Sequence, residues 1–474
     1  MDSPRPQDHP DWGVIVSNAT LAIHTVEPAL NQLHAAEERL PLPLWLLEQE
    51  ARALQTRLAR VKPFALLEPM LPAAALSPSA QTAIENFLAA GRRELRSLIR
   101  SFIKWLRSPM GRQATSEEAQ SKFTVLRLRF NDILSQFDLF ADVLTQRSEH
   151  ETGVWLAGLD VVAADALKVP SLYEAPPVVC YLDRGPGAAI RRARTRLPGG
   201  KDNPVAIVRV PRERMVGSGI ASSLVHEVGH QAAALLELVQ SLRPVLQGLR
   251  ESGLAWQFWD RWISEIVADF WSVARVGIAS TLGLMAVVSL PRAFVFRISE
   301  DDPHPIPWIR VKLSCAIGKA LYPHAQWDRL ARLWEGYYPL AGLEPAARSF
   351  FVELDKAIPS FVTLLIHHRP KLLRGATLRE VLAVDERRPA RLSAYFTAWR
   401  NAPRHLRAAP PSLTFAVLGQ ARAEGRLSPE LESRMLAYLL TYWALRSTLD
   451  VSAGHARAAS CHCRRGPQAQ PISI

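Results

Sequence analysis

His226, Glu227 and His230 stand in the order H-E-x-x-H. On a helix, one turn every 3.6 residues puts both imidazoles on the same face, where they can offer two nitrogens to one metal ion. Glu227 follows one position round, placed to act as general base toward water at that ion. A catalytic zinc keeps three protein ligands and an open position for water, so a third ligand must come from elsewhere in the chain. Glu265 is the best candidate, and Asp269 follows it one turn later. An acidic pair on an otherwise aromatic and aliphatic helix is costly to bury unless something positive lies opposite, and a zinc ion with its histidines is such a partner. The competing reading is a surface helix with two solvated histidines, which leaves the Glu265 pattern and the apolar flanks as coincidences.

Two helices have to position these groups. The first is expected to run without interruption from Ala221 to Gln240, with Leu224, Val225, Val228, Ala232, Leu235 and Leu236 as its apolar face and Ser218 or Ser222 as a cap. Gly229 interrupts that pattern. Inside a helix glycine costs about 1 kcal/mol against alanine, so its place beside His230 implies a close approach to the backbone. The second helix is expected over Leu254–Val276, with Trp256, Trp259, Trp262 and Trp271 as core packing. The apolar run from Val276 to Pro291 is shorter than the ~20 residues that cross a bilayer, and it reads as a buried helix behind the metal site. Ahead of the first helix, Pro177–Leu182 and Pro204–Val210 read as two strands of a small sheet. Ala206–Val210 is the proposed exposed edge, on which an extended peptide could pair and present a carbonyl to the metal. Between the strands, Arg184–Lys201 carries Arg191, Arg192, Arg194 and Arg196 and reads as an exposed, mobile loop, or as a substrate-steering or regulatory element beside the cleft.

These residues resemble a known group. His226-Glu-Val-Gly-His230 followed by Glu265-Ile-Val-Ala-Asp269 is similar to the gluzincin type of zinc metallopeptidase, and the E-x-x-A-D form to the CaaX-prenyl-protease type. The likeness covers roughly residues 200–312 and extends to His304-Pro305 and Arg310-Val311. Ser264 stands where the thermolysin type has Asn. The resemblance implies a zincin-like core in which His226, His230 and Glu265 hold Zn2+ and Asp269 accepts a hydrogen bond from His226. It also implies hydrolysis of peptide bonds in a peptide or protein substrate, with Glu227 as general base. A second oxyanion donor is usual in such chemistry, and His304, Arg310 and Tyr322 are its candidates in that order. His304 can equally be a capping residue of Asp301-Asp302-Pro303-His304-Pro305.

The rest of the chain frames this centre. Its 474 residues, 48% of them hydrophobic, predict two or three domains in an α+β fold that is mostly α-helical. The divisions expected are a disordered N-terminus over 1–10, a helical domain over 11–170, a metallopeptidase core over 171–325, a helical region over 326–455 and a disordered tail over 456–474. Leu44–Val61 and Ser79–Leu106 are amphipathic, and a further helix starts near Thr115 or Ser116. A proline-rich joint lies near 62–78. Thr145–Asp165, with Arg147, His150 and Asp160, could contribute to a site but reads first as a solvated helix face. Beyond residue 325, apolar stretches recur at Leu330–Tyr338, Phe350–Ile366, Leu413–Leu418 and Leu431–Leu445. The net charge of +12 favours acidic partners, yet the arginines lie mostly singly and no nucleic-acid motif accompanies them. Nucleic-acid binding is therefore a second alternative, behind a helical scaffold or assembly protein with a structural or vestigial metal site. The flanking helical regions offer surfaces for a protein partner. Four cysteines, Cys180, Cys315, Cys461 and Cys463, make no disulfide framework, which with the polar N-terminus predicts a cytoplasmic protein without transmembrane segments. Cys461-His462-Cys463 cannot surround an ion unaided.

Overall fold

The computed structural model describes residues 40–60, 71–183, 188–197, 200–212, 218–299 and 301–464. These divide into two compact units. The smaller joins helix α1 (Leu42–Arg60) to residues 94–130, drawn from α2 (Pro78–Arg107) and α3 (Ser116–Thr145). Glu48, almost fully buried, accepts hydrogen bonds there from Arg52 and from Arg107. Helix α3 begins where the sequence predicts. Thr115 Oγ1 accepts from Glu118 N at 3.2 Å and Glu118 Oε2 accepts from Thr115 N at 3.1 Å, a reciprocal cap with Glu117 and Glu118 in the first turn.

The larger unit is mostly helical and includes a three-stranded sheet. After α4 (His150–Leu167) come β1 (Val178–Asp183), β2 (Ala189–Arg191) and β3 (Ala206–Pro211), then α5 (Ser218–Leu235), α6 (Leu238–Gly248), α7 (Leu254–Val276) and α8 (Ile278–Val288). Helices α9 (Pro307–Leu321), α10 (Gln326–Tyr337), α11 (Pro345–His367), α12 (Pro389–Asn401), α13 (Pro411–Ala423) and α14 (Pro429–Arg464) complete it. One continuous apolar core runs through this unit from Leu156 to Trp443 and takes in α4, the sheet and the helices that follow. At the centre of that core Trp259, Trp262 and Trp271 of α7 are fully buried, so the aromatic spacing marks packing as expected. Helix α8 lies against α5 with Ile278, Ala279 and Leu284 buried, and no helix among the described residues is long and apolar enough to cross a membrane.

Three local expectations change. The strand order is β1-β3-β2, with β3 parallel to β1 and antiparallel to β2, so Ala206–Val210 is the central strand and cannot offer a free edge. Its alternate residues are buried on both faces, as a strand enclosed on both sides requires. Of the two edge strands, β1 has Cys180 N and O and Leu182 N and O bonded to Asp160, Arg147 and Gln146, and β2 lies inside the segment expected as a mobile loop; that segment is tied down by Arg194 N to Asn203 O at 2.9 Å and Leu197 N to Lys201 O at 2.8 Å. Helix α5 ends at Leu235, because Glu237 takes a left-handed conformation at φ 51° and α6 sets off from Leu238. Leu236 and Leu238 are both buried, and two residues 200° apart on one helix cannot face the same core; the break lets both do so.

The expected solvated face at Arg147 and Asp160 is instead a buried clamp. Arg147 donates to both Asp160 oxygens at 2.9 and 3.1 Å and to Cys180 O at 2.6 Å, while Asp160 Oδ1 accepts from Cys180 N at 2.7 Å. One ion pair thus anchors α4 to the middle of β1. Burial pushes the Asp160 carboxyl up, against the pull of Arg147. His150 stays exposed. Residues 1–39, 61–70 and 465–474, including most of the proline-rich joint and the end of the expected tail, lie outside the described residues, and helix α14 reaches Arg464.

Candidate metal centre

Helices α5 and α7 cross at Gly229. A Cβ built there would lie 2.9 Å from Ala268 Cα and Ala268 O and 3.0 Å from Trp271 Cβ, which is the close approach its position implied. Contact at that depth brings one face of α5 onto one face of α7. His226 and His230 project from the first, Glu265 and Asp269 from the second.

The three expected ligands converge. His226 Nε2 is 3.2 Å from Glu265 Oε2, His230 Nε2 is 3.3 Å from Glu265 Oε1, and the imidazole planes stand at 85° with centroids 4.9 Å apart. One donor atom from each of His226, His230 and Glu265 lies within 4.8 Å of the others, so the group could hold a metal ion. Glu265 Oε2 is a fitting test. It is buried without a hydrogen bond even though His226 Nε2 is 3.2 Å away, which leaves the oxygen able to take a further partner such as a metal ion. Two imidazole nitrogens and one carboxylate also make the donor set of a zinc site with a position left for water.

Behind the ligands stands an ordered support. His226 Nδ1 is 2.8 Å from Asp269 Oδ1, so its Nε2 is the nitrogen turned toward Glu265. Arg310, on the first turns of α9, holds Asp269 in a fork, with Nε 2.6 Å from Oδ2 and Nη2 2.9 Å from Oδ1. Its Nη2 is also 3.6 Å from Glu265 Oε2. Ser264 Oγ lies 3.5 Å from His230 Nδ1, a long contact at the limit of hydrogen bonding.

These contacts set the protonation states. Burial works against charge on His226, but the carboxylate of Asp269 and then Glu265 raise it to about 9. Burial likewise opposes the Asp269 anion, and Arg310 followed by His226 brings it down to about 2. For Glu265 burial again opposes the anion, but the two imidazoles 3.2 and 3.3 Å away outweigh it and hold its carboxyl below the usual range. Glu227 goes the other way. The residue is 8% exposed, and burial raises its carboxyl despite the nearby histidines.

The three candidates for a second oxyanion donor separate. His304 reaches the cluster: its Nε2 is 3.5 Å from Glu265 Oε2, while Nδ1 is 2.8 Å from Asp302 Oδ1 and its backbone N donates to the same oxygen at 2.9 Å. The aspartate two residues earlier thus sets the ring's direction, and half of the side chain stays open to solvent. Arg310 supports the ligands through Asp269. Tyr322 takes no part; its hydroxyl is buried at the far end of α9, donating to Ala274 O at 2.7 Å, and burial raises it to about 12. Sequence spacing could not reveal that direction, because Tyr322 ends α9 facing the core.

Arg147, Asp160 and Cys180 stand apart from this cluster as the clamp already described. Sequence reasoning also passed over Gln231, whose Oε1 accepts from Ala193 N at 2.8 Å and ties the segment after β2 to the helix that carries His226 and His230. Only its place next to His230 could have signalled it. Compared with protein-family models, with curated proteins and with solved structures, the chain finds no match.

Proposed function

We propose that the protein is a zinc-dependent metallopeptidase that hydrolyses peptide bonds in a zincin-like core. The observation that carries this reading is the meeting of His226, His230 and Glu265 with the buried carboxyl of Glu227 beside them. A purely structural metal site has no use for a general base next to its ligands. A zinc ion held by His226, His230 and Glu265 would supply Lewis acidity, lowering the pKa of water toward 7 and polarising the scissile carbonyl.

The chain's own groups do the rest. Glu227 accepts the proton as water attacks the carbonyl carbon, then returns it to the leaving nitrogen, so no proton is lost between the two steps. His304 donates its Nε2 hydrogen to the carbonyl oxygen as negative charge develops there, moving off its contact with Glu265. Asp269 keeps His226 in the tautomer that leaves Nε2 free to ligate, and Arg310 keeps Asp269 ionised. Among the described residues β2, not β3, stands at a sheet edge, and that is where an extended substrate would pair.

Glu227→Ala tests the reading. The variant is expected to bind zinc as the parent does, by metal analysis, and to lose cleavage of a peptide library by at least about 100-fold. Cleavage at the parent rate would remove Glu227 from the chemistry.

A further inference from the structure

On the His230 side of the cluster a cleft of about 510 Å³ opens, lined by His230, Ser264, Arg192 and Arg243 among others. It therefore joins a metal-ligating histidine to two guanidinium groups. Arg243 Nε lies 3.5 Å from Asp260 Oδ1, but Asp260 Oδ2 already accepts from Arg250 Nε at 3.0 Å, so this one carboxylate faces two cations. For Arg192 no ion pair or side-chain hydrogen bond exists among the described residues. The cleft thus has positive charge left over.

Its position relative to the ligands is fixed. Arg192 directly follows edge strand β2, its carbonyl accepts from Asn203 Nδ2 at 3.2 Å, and the next residue, Ala193, is bonded to Gln231 beside His230. A peptide laid along β2 with its scissile bond at the histidines would pass a neighbouring side chain or its terminus into this cleft.

We propose that the Arg192–Arg243 cleft is a substrate subsite for a carboxylate, selecting peptides with an acidic side chain, or a free C-terminus, beside the bond to be cut. The assignment deepens the peptidase reading and rests on it. Guanidinium groups match a carboxylate in charge and in planar geometry, and a cleft walled by α5 and α6 weakens the screening that water provides at an open surface.

The test uses the full-length, zinc-loaded Glu227→Ala chain, which binds without turnover, and calorimetry on matched peptides. These carry Glu or Gln at each position around the scissile bond, with free or amidated C-termini. At one position the Glu peptide is expected to bind about ten-fold tighter than its Gln counterpart, or the free terminus than the amide, which tells the two sources apart. Arg192→Gln in the same background is expected to bring that ratio close to one; the residue is exposed, and unchanged zinc content would report an intact fold. Equal binding of all four peptide types, or none, overturns the subsite. Cleavage by the unsubstituted chain is read separately. A binding preference without cleavage removes the peptidase reading and leaves a carboxylate site, whereas cleavage indifferent to charge removes the subsite and leaves the peptidase.

Discussion

Replacing Gly229 by alanine probes the helix crossing on which the proposed metal centre depends. The added methyl would begin 2.9 Å from Ala268 Cα and O, and both are backbone atoms that no rotamer change can move. Ordinary contact starts at 3.4 Å, so α5 and α7 must separate by about 0.5 Å. Overpacking of this kind costs about 1–3 kcal/mol, while alanine in place of glycine returns about 1 kcal/mol of helix propensity. The net change in stability is therefore small, about 0–2 kcal/mol.

Metal binding responds more sharply. His226 and His230 ride on one of the separating helices and Glu265 on the other, and metal bonds tolerate only about 0.2 Å of displacement. Gly229→Ala is expected to weaken zinc by about 10- to 100-fold, the scale seen when the support of a zinc ligand is disturbed. Competition with a chromophoric chelator measures the affinity, and thermal unfolding of the metal-free protein measures the stability. Gly336→Ala is the control, since a Cβ there meets nothing within 4 Å. Parental zinc affinity in Gly229→Ala, with the fold intact, would show that the crossing does not set the ligand spacing.

Four further outcomes are expected. In the metal-free protein His226 titrates near 9, against 6.5 in an unfolded chain, so its contribution to stability is complete below 6.5 and disappears as pH rises through 9; the metal-free melting temperature should fall across that window. For the same reason zinc binding near pH 7.5 should release about one proton from Nε2, seen as a calorimetric heat that depends on the ionisation enthalpy of the buffer, and buffer-independent heats would contradict it. Arg147→Met strands Asp160 in the core and should cost about 3–5 kcal/mol in denaturant unfolding, whereas Arg147→Met with Asp160→Leu should recover most of that loss. His304→Ala should lower kcat by about 100-fold with zinc retained, while Tyr322→Phe should leave kcat unchanged and cost about 1 kcal/mol of stability; a shared loss of kcat would undo the separation of their roles.

What the sequence conveyed about the site was conveyed by period. His226 and His230 share a face because of helical spacing, and so do Glu265 and Asp269, which makes two half-sites legible without coordinates. Gly229 added a third dimension, since a costly glycine on a helix marks where another backbone must come close, and that backbone is Ala268 of the helix bearing Glu265. Readings that needed direction or adjacency went differently. Tyr322 has the right chemistry but closes α9 against Ala274, and no spacing along one helix tells which neighbour its last residue meets. Arg147 and Asp160 look like solvated charges until β1 supplies Cys180 N and O between them, a partner 20 residues further on. The order β1-β3-β2 required an antiparallel return from a stretch of three residues, too short for alternation to register, and so the edge fell to β2 in place of β3. On the proposed reading that displacement bears on specificity: the strand at this edge is the one followed by Arg192, so the segment proposed to align a substrate backbone also brings to the cleft beside His230 a guanidinium with no ion pair among the described residues. Alignment and charge selection are then two properties of one short segment, and altering its register should move both together.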